Sequence, residues 1–113
     1  MRSLLAVLAL ALPLVSTAIA AERLFDLTIA HGKLTGGSDT IRVHQNDNVV
    51  LRWHSDRPIA LHLHGYDLET RVVPGTAAET RFEARATGRF PIHVHAAQAQ
   101  SETVLVYLEV YPE

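Results

Sequence analysis

From Arg23 onward the apolar residues of this chain recur at every second position, in short runs cut by polar, proline- and glycine-bearing turns. Alternation with a period of two marks a strand with one buried face. Thr40–His44 turns Ile41 and Val43 the same way. Val49, Leu51 and Trp53 share one face of the next run, with Arg52 and His54 on the other. Ile59, Leu61 and Leu63 are in phase, as are Phe90, Ile92 and Val94, and later Val104, Val106, Leu108 and Val110. Between the runs stand Leu34-Thr35-Gly36-Gly37-Ser38, Gln45-Asn46-Asp47-Asn48, Ser55-Asp56-Arg57-Pro58, Pro74-Gly75-Thr76 and Thr87-Gly88, all turn material. No segment sustains a helical period, although Ala96–Gln100 is short and small enough for one turn. Roughly seven or eight short strands at this spacing predict an all-β, antiparallel sandwich or barrel. Its expected core is Leu51, Trp53, Leu61, Leu63, Phe82, Ile92, Val94, Val106 and Leu108.

The start of the chain follows other rules. Met1-Arg2 is a short positive region, Leu4 to Val15 is apolar apart from Pro13, and Ala18 and Ala20 occupy the positions of a small-x-small cleavage site. This is the pattern of a secretory signal peptide, residues 1–20, followed by one domain over residues 21–113. The apolar run is shorter than the ~20 residues a bilayer-spanning helix needs. The expected product is periplasmic or secreted and keeps no membrane anchor after cleavage.

Export gives weight to an absence. The 113 residues include no cysteine, and the sole methionine, Met1, leaves with the leader. No disulfide staples the fold, and any metal site must use nitrogen and oxygen donors. Such donors disfavour Cu(I) and suit Cu(II), Zn(II) or Ni(II). Losing Arg2 moves the formal charge from −2 to −3. A slightly acidic domain with one lysine and no basic cluster is a poor partner for nucleic acid.

Four of the seven histidines fall in two H-x-H pairs, Leu61-His62-Leu63-His64 and Ile92-His93-Val94-His95. On a strand the leucines, isoleucine and valine point one way and the imidazoles the other, so each pair offers two nitrogen donors on one face. Histidines also sit on the wet face of strands with no ion to bind. His31, His44 and His54 read as isolated surface residues of that kind.

The run from about Asp39 to Tyr111 resembles the cupredoxin family, the Greek-key sandwiches that carry blue copper. The resemblance rests on His64-Gly65-Tyr66, similar to the family's first-ligand motif, and on the Val73-Pro74-Gly75 turn. It rests also on Phe82 with Thr87-Gly88-Arg89-Phe90, and on the closing strand Val104–Tyr111. It implies a Greek-key sandwich in which the strand entering His64 lies beside the strand of His93 and His95. The two histidine pairs would then face each other on the outer sheet face or at its rim. The family's thiolate position falls on Val94, and Ala96–Glu102 holds neither its second histidine nor its methionine. Of the usual ligands only His64 remains, so a blue copper–thiolate centre is excluded.

The candidate metal ligands are therefore His64 and His95 first, each beside a turn that lets it lean over the sandwich end, and then His62 and His93. Tyr66, Asp67 and Glu102 are candidate oxygen donors or supports. No nucleophile elbow, thiol or acid pair suggests an enzyme. The acids Asp67, Glu69, Glu79 and Glu83 intersperse with Arg71, Arg81 and Arg85 as a solvated face. Two functions stand open: an exported protein that holds Cu(II), or else Zn(II), for metal handling or delivery to a periplasmic partner; and a cupredoxin-like domain without metal that serves as a structural or protein-interaction module.

Overall fold

The computed structural model describes residues 2–15, 22–36, 38–96 and 101–113, with nothing said of the Ala96 side chain. The expected cleavage site, Gly37 and residues 97–100, where a short turn is expected, lie outside the described residues. Residues 2–15 form neither helix nor strand and are exposed. No described helix is long and apolar enough to cross a membrane.

Among the described residues nine strands follow: β1 Glu22–Ala30, β2 Lys33–Leu34, β3 Thr40–His44, β4 Asn48–Ser55, β5 Ile59–Leu63, β6 Leu68–Val72, β7 Ala78–Glu83, β8 Gly88–Ala96 and β9 Glu102–Tyr111. They form a four-stranded sheet in the order β2-β1-β4-β7 and a five-stranded sheet in the order β3-β9-β8-β5-β6. Two points correct the sequence reading. The count exceeds eight because the short β2, whose Leu34 opens a run expected as turn material, pairs with the end of β1. The sheets are mixed rather than purely antiparallel, because β1 runs parallel to β4 and β3 parallel to β9. Parallel neighbours need a crossover between sheets, which local alternation does not encode.

The core is where the alternation put it. Ile41, Val43, Val49, Leu51, Trp53, Leu61, Leu63, Ile92, Val94, Val106 and Leu108 are all buried in one cluster between the sheets. Phe82 is the exception: it is only half-buried and lies against Tyr66, with ring centroids 5.0 Å apart. The core also holds a polar crossing. Trp53 Nε1 donates to Thr80 Oγ1 at 3.0 Å, and the hydroxyls of Thr80 and Thr70 bond each other. Trp53 on β4 and Thr80 on β7 belong to one sheet and Thr70 on β6 to the other, so this chain of bonds ties the layers together.

Val104 departs from its expected inward phase and is 43% exposed. The β8–β9 register explains it. Ile92 pairs with Val106, but His93 pairs with Val104, so Leu105 is an extra residue and β9 is bulged. Leu105 leans on the core and the alternation beyond it is inverted. Val104 and Glu102 consequently face outward, on the side of the histidines.

Candidate metal centre

Strand β5 lies antiparallel beside β8, as the resemblance implied, and the phase holds: Leu61, Leu63, Ile92 and Val94 are buried, while the imidazoles stand on the outer face. Facing both pairs squarely would set His62 opposite His95 and His64 opposite His93. The register is two residues away from that. His62 is opposite His93, His95 is opposite Ala60, and the amide of His64 donates to the carbonyl of Pro91 at 3.1 Å. The outer face thus carries two complete cross-strand rows: Glu69, His62, His93 and Val104; and Arg71, Ala60, His95 and Glu102.

The turn after β5 brings in His64. Gly65 has φ +89 and Asp67 φ +54, the left-handed region that favours glycine and tolerates aspartate. A Cβ on Gly65 would collide with the Phe90 ring, so close approach demands glycine as well. Tyr66 anchors the same turn. Its ring meets Phe90 edge-on at 5.1 Å, its hydroxyl donates to the Ala86 carbonyl at 2.8 Å, and the Ala86 amide donates back at 3.1 Å. Burial pushes the Tyr66 phenol above its ordinary range, partly offset by the bond from Ala86. Tyr66 is therefore a rim aromatic that fixes the backbone beside His64.

Held this way, His64 leans diagonally onto His93. Its Nε2 lies 2.9 Å from His93 Nδ1, and His93 Nδ1 lies 3.1 Å from Glu102 Oε2. His64 Nε2 and Glu102 Oε2 are 4.0 Å apart. A neutral imidazole nitrogen either donates or accepts, and a carboxylate only accepts. If His93 Nδ1 carries the hydrogen, both His64 Nε2 and Glu102 compete for it. If His64 Nε2 carries it, Glu102 faces a bare lone pair. Three lone-pair-bearing atoms thus converge on one proton, an arrangement a cation satisfies. An ion with tetrahedral bonds of about 2.1 Å spaces its donors about 3.4 Å apart, and the observed separations bracket that value. The bond from His93, together with the fields of His93, His64 and His95, holds the Glu102 carboxyl below the usual carboxylate range, against some desolvation.

The four imidazoles do not share one cluster. His64, His93 and Glu102 place one ligand atom each within 4.8 Å of one another. His62 packs at a tilt against His64, with ring centroids 4.2 Å apart, but its Nε2 is 3.2 Å from Asp67 Oδ1. His95, a first candidate from sequence, falls outside this trio. Its Nδ1 is buried without a hydrogen-bond partner among the described residues, beside a shallow groove formed by Ala60, Leu61, His62, Glu69 and Glu102. Glu102, a candidate oxygen donor from sequence, does join the cluster, because the bulge at Leu105 turns it outward. His54 bonds Asp26 at 3.1 Å and His31 lies by Asp56 and Arg57, each far from the H-x-H face in sheet order.

The blue-copper site does not fit. Val94, at the thiolate position, is 7% exposed, belongs to the apolar core and pairs with Leu61, whereas His64 lies opposite Pro91. The one retained ligand and the thiolate position are therefore not neighbours across the strands.

No protein-family model matches the chain, and no curated protein matches it in sequence. Solved structures do match it in shape. The periplasmic domain of subunit II of cytochrome oxidase from Bradyrhizobium japonicum superposes with a TM-score of 0.67 at 14% identity, over 86% of this chain and 89% of that one. Auracyanin A, a blue copper protein from Chloroflexus aurantiacus, gives 0.58 at 11% identity, over 80% and 99%. A heme-copper terminal oxidase gives 0.63 at 16% identity over 78% of this chain, which spans 64% of its partner's length; a multicopper oxidase gives 0.63 at 15%, with 42% of its length spanned. At such identities the likeness speaks for the fold, and in fold this chain is a cupredoxin-like β-sandwich.

Proposed function

We propose that the protein is an exported metal-binding module that holds Cu(II), or else Zn(II), through His64 Nε2, His93 Nδ1 and Glu102, for metal handling or delivery rather than for catalysis or electron transfer. One observation carries this reading: the convergence of those three donor atoms with too few protons among them. The donor set is nitrogen and oxygen only, which suits both ions. The site lies on an open sheet face, with the His64 side chain 38% and that of Glu102 45% exposed. Such openness suits exchange of an ion with a periplasmic protein partner. The copper proteins among the fold's relatives lend the reading general support.

Isothermal titration with Cu(II) and with Zn(II) tests it. His64→Ala, His93→Ala and Glu102→Gln are each expected to remove most of the affinity. Their double combinations are expected to cost little more than the singles, because groups on one ion are coupled. His44→Ala and His54→Ala are expected to bind as wild type does. Imidazole binds metal only when neutral, and its free pKa is ~6.5, so affinity is expected to fall steeply below about pH 6. Unchanged binding in the first three variants would leave a row of surface histidines, and the metal-free interaction module would replace this reading.

A further inference from the structure

The residues around the trio add no fourth donor to it. His64, His93 and Glu102 bring one ligand atom each, and among the described residues no other histidine or carboxylate joins them within 4.8 Å. The neighbours of His93 in its cross-strand row are His62 and Val104. His62 has its Nε2 drawn off to Asp67 Oδ1 at 3.2 Å, and Asp67 is fixed in a turn at φ +54. Val104 is apolar and turned to solvent. His95 stands opposite Glu102, but its Nδ1 is buried and outside the cluster. Glu69 is engaged with Arg71 Nε at 3.6 Å. Each of the three donor side chains meanwhile keeps a part facing solvent, His93 the least at 24%.

We propose that the ion held by His64, His93 and Glu102 keeps one coordination position on its outer side, and that this position takes a small exchangeable anion from solution. This rests on the metal reading above and states how the held ion meets solvent. Zinc closed in by four protein ligands is structural, whereas zinc with three takes water or a substrate in the fourth place. Tetragonal Cu(II) on the same three donors has a place over in the same way. Charge selects the class of ligand. Two neutral imidazoles and one carboxylate leave a divalent ion with one net positive charge, which a monoanion neutralises. An outer ligand of this kind suits release, because an incoming donor displaces it before any bond to the protein has to break.

Azide is the probe, a small monoanion that gives a charge-transfer band when it binds Cu(II). Residues 21–113 are loaded with one equivalent of Cu(II) and titrated with 15N-labelled azide, whose couplings are distinct from those of the imidazoles. Before azide, the EPR spectrum is expected to show two coupled nitrogens, from His64 and His93. With azide, the band is expected to grow to saturation at one azide per copper while both imidazole couplings persist, and dialysis is expected to restore the starting spectrum. Three or more coupled nitrogens before azide is added would overturn the proposal, because another imidazole then fills the outer place. So would a bound Cu(II) that azide does not alter, or one that azide strips from the protein. If His64→Ala and His93→Ala, shown to fold by a melt in chelator, lose Cu(II) in that case, the three-donor site stands and only the anion position falls. If they bind Cu(II) as wild type does, the metal reading itself is at fault.

Discussion

Gly65 shows how one residue can serve both fold and site. Its φ of +89 lies where a side chain costs about 1–2 kcal/mol, and the Phe90 ring occupies the space a Cβ would need. Gly65→Ala is expected to destabilise the domain by about 2 kcal/mol or more. Calorimetry in chelator is expected to record a Tm lower by about 8 °C or more. The motif His64-Gly65-Tyr66 was visible in the sequence; its reason was not, because the contact with Phe90 spans twenty-five positions. The four H-x-H histidines were visible in the same way. Which of them meet was not, since a two-residue offset between β5 and β8 keeps every phase intact while exchanging every partner.

At the scale of elements, alternation located β3, β4, β5, β8 and β9 and nearly all of the core. It missed what alternation does not encode. The bulge at Leu105 inverts the phase of β9, so Val104 turns out and Glu102 joins the histidines. A single extra residue in a run of Val, Leu and Val leaves no local mark, so Glu102 could be named as a candidate oxygen donor but not ranked with the histidines. The bond from Trp53 to Thr80 was equally hidden, because Thr80 reads as an ordinary strand residue. Thr80→Val keeps the shape but leaves a buried indole N–H unpaired, and also removes the partner of the Thr70 hydroxyl. The expected loss is about 1–3 kcal/mol, measured by urea unfolding as a lower midpoint at unchanged slope.

For the molecule as a whole, the core closes without any ligand, so a cooperative melt is expected in chelator, unlike small zinc domains that are unfolded without metal. Acid should weaken that fold. Bonds from Arg81 to Glu79, from Tyr111 to Glu109 and from the His31 amide to Asp56 hold each of these carboxyls below its ordinary value. Folded-state values below unfolded ones mean that the native state binds fewer protons. Their stabilisation is therefore complete above the ordinary carboxylate range and is lost as pH falls through the depressed values. All three groups are solvent-facing, so a shallow decline in Tm is expected, beginning below about pH 4.5. With Cu(II) bound, no intense thiolate-to-copper charge-transfer band is expected, since the chain holds no cysteine. The central claim is that one ion sits among His64, His93 and Glu102, and its most direct test is an anomalous difference map from crystals of residues 21–113 grown with Zn(II). The expected result is a single strong peak about 2.0–2.2 Å from His64 Nε2, His93 Nδ1 and a Glu102 oxygen. A map with no peak at that face, or with its peak at His54 and Asp26 instead, would contradict the account.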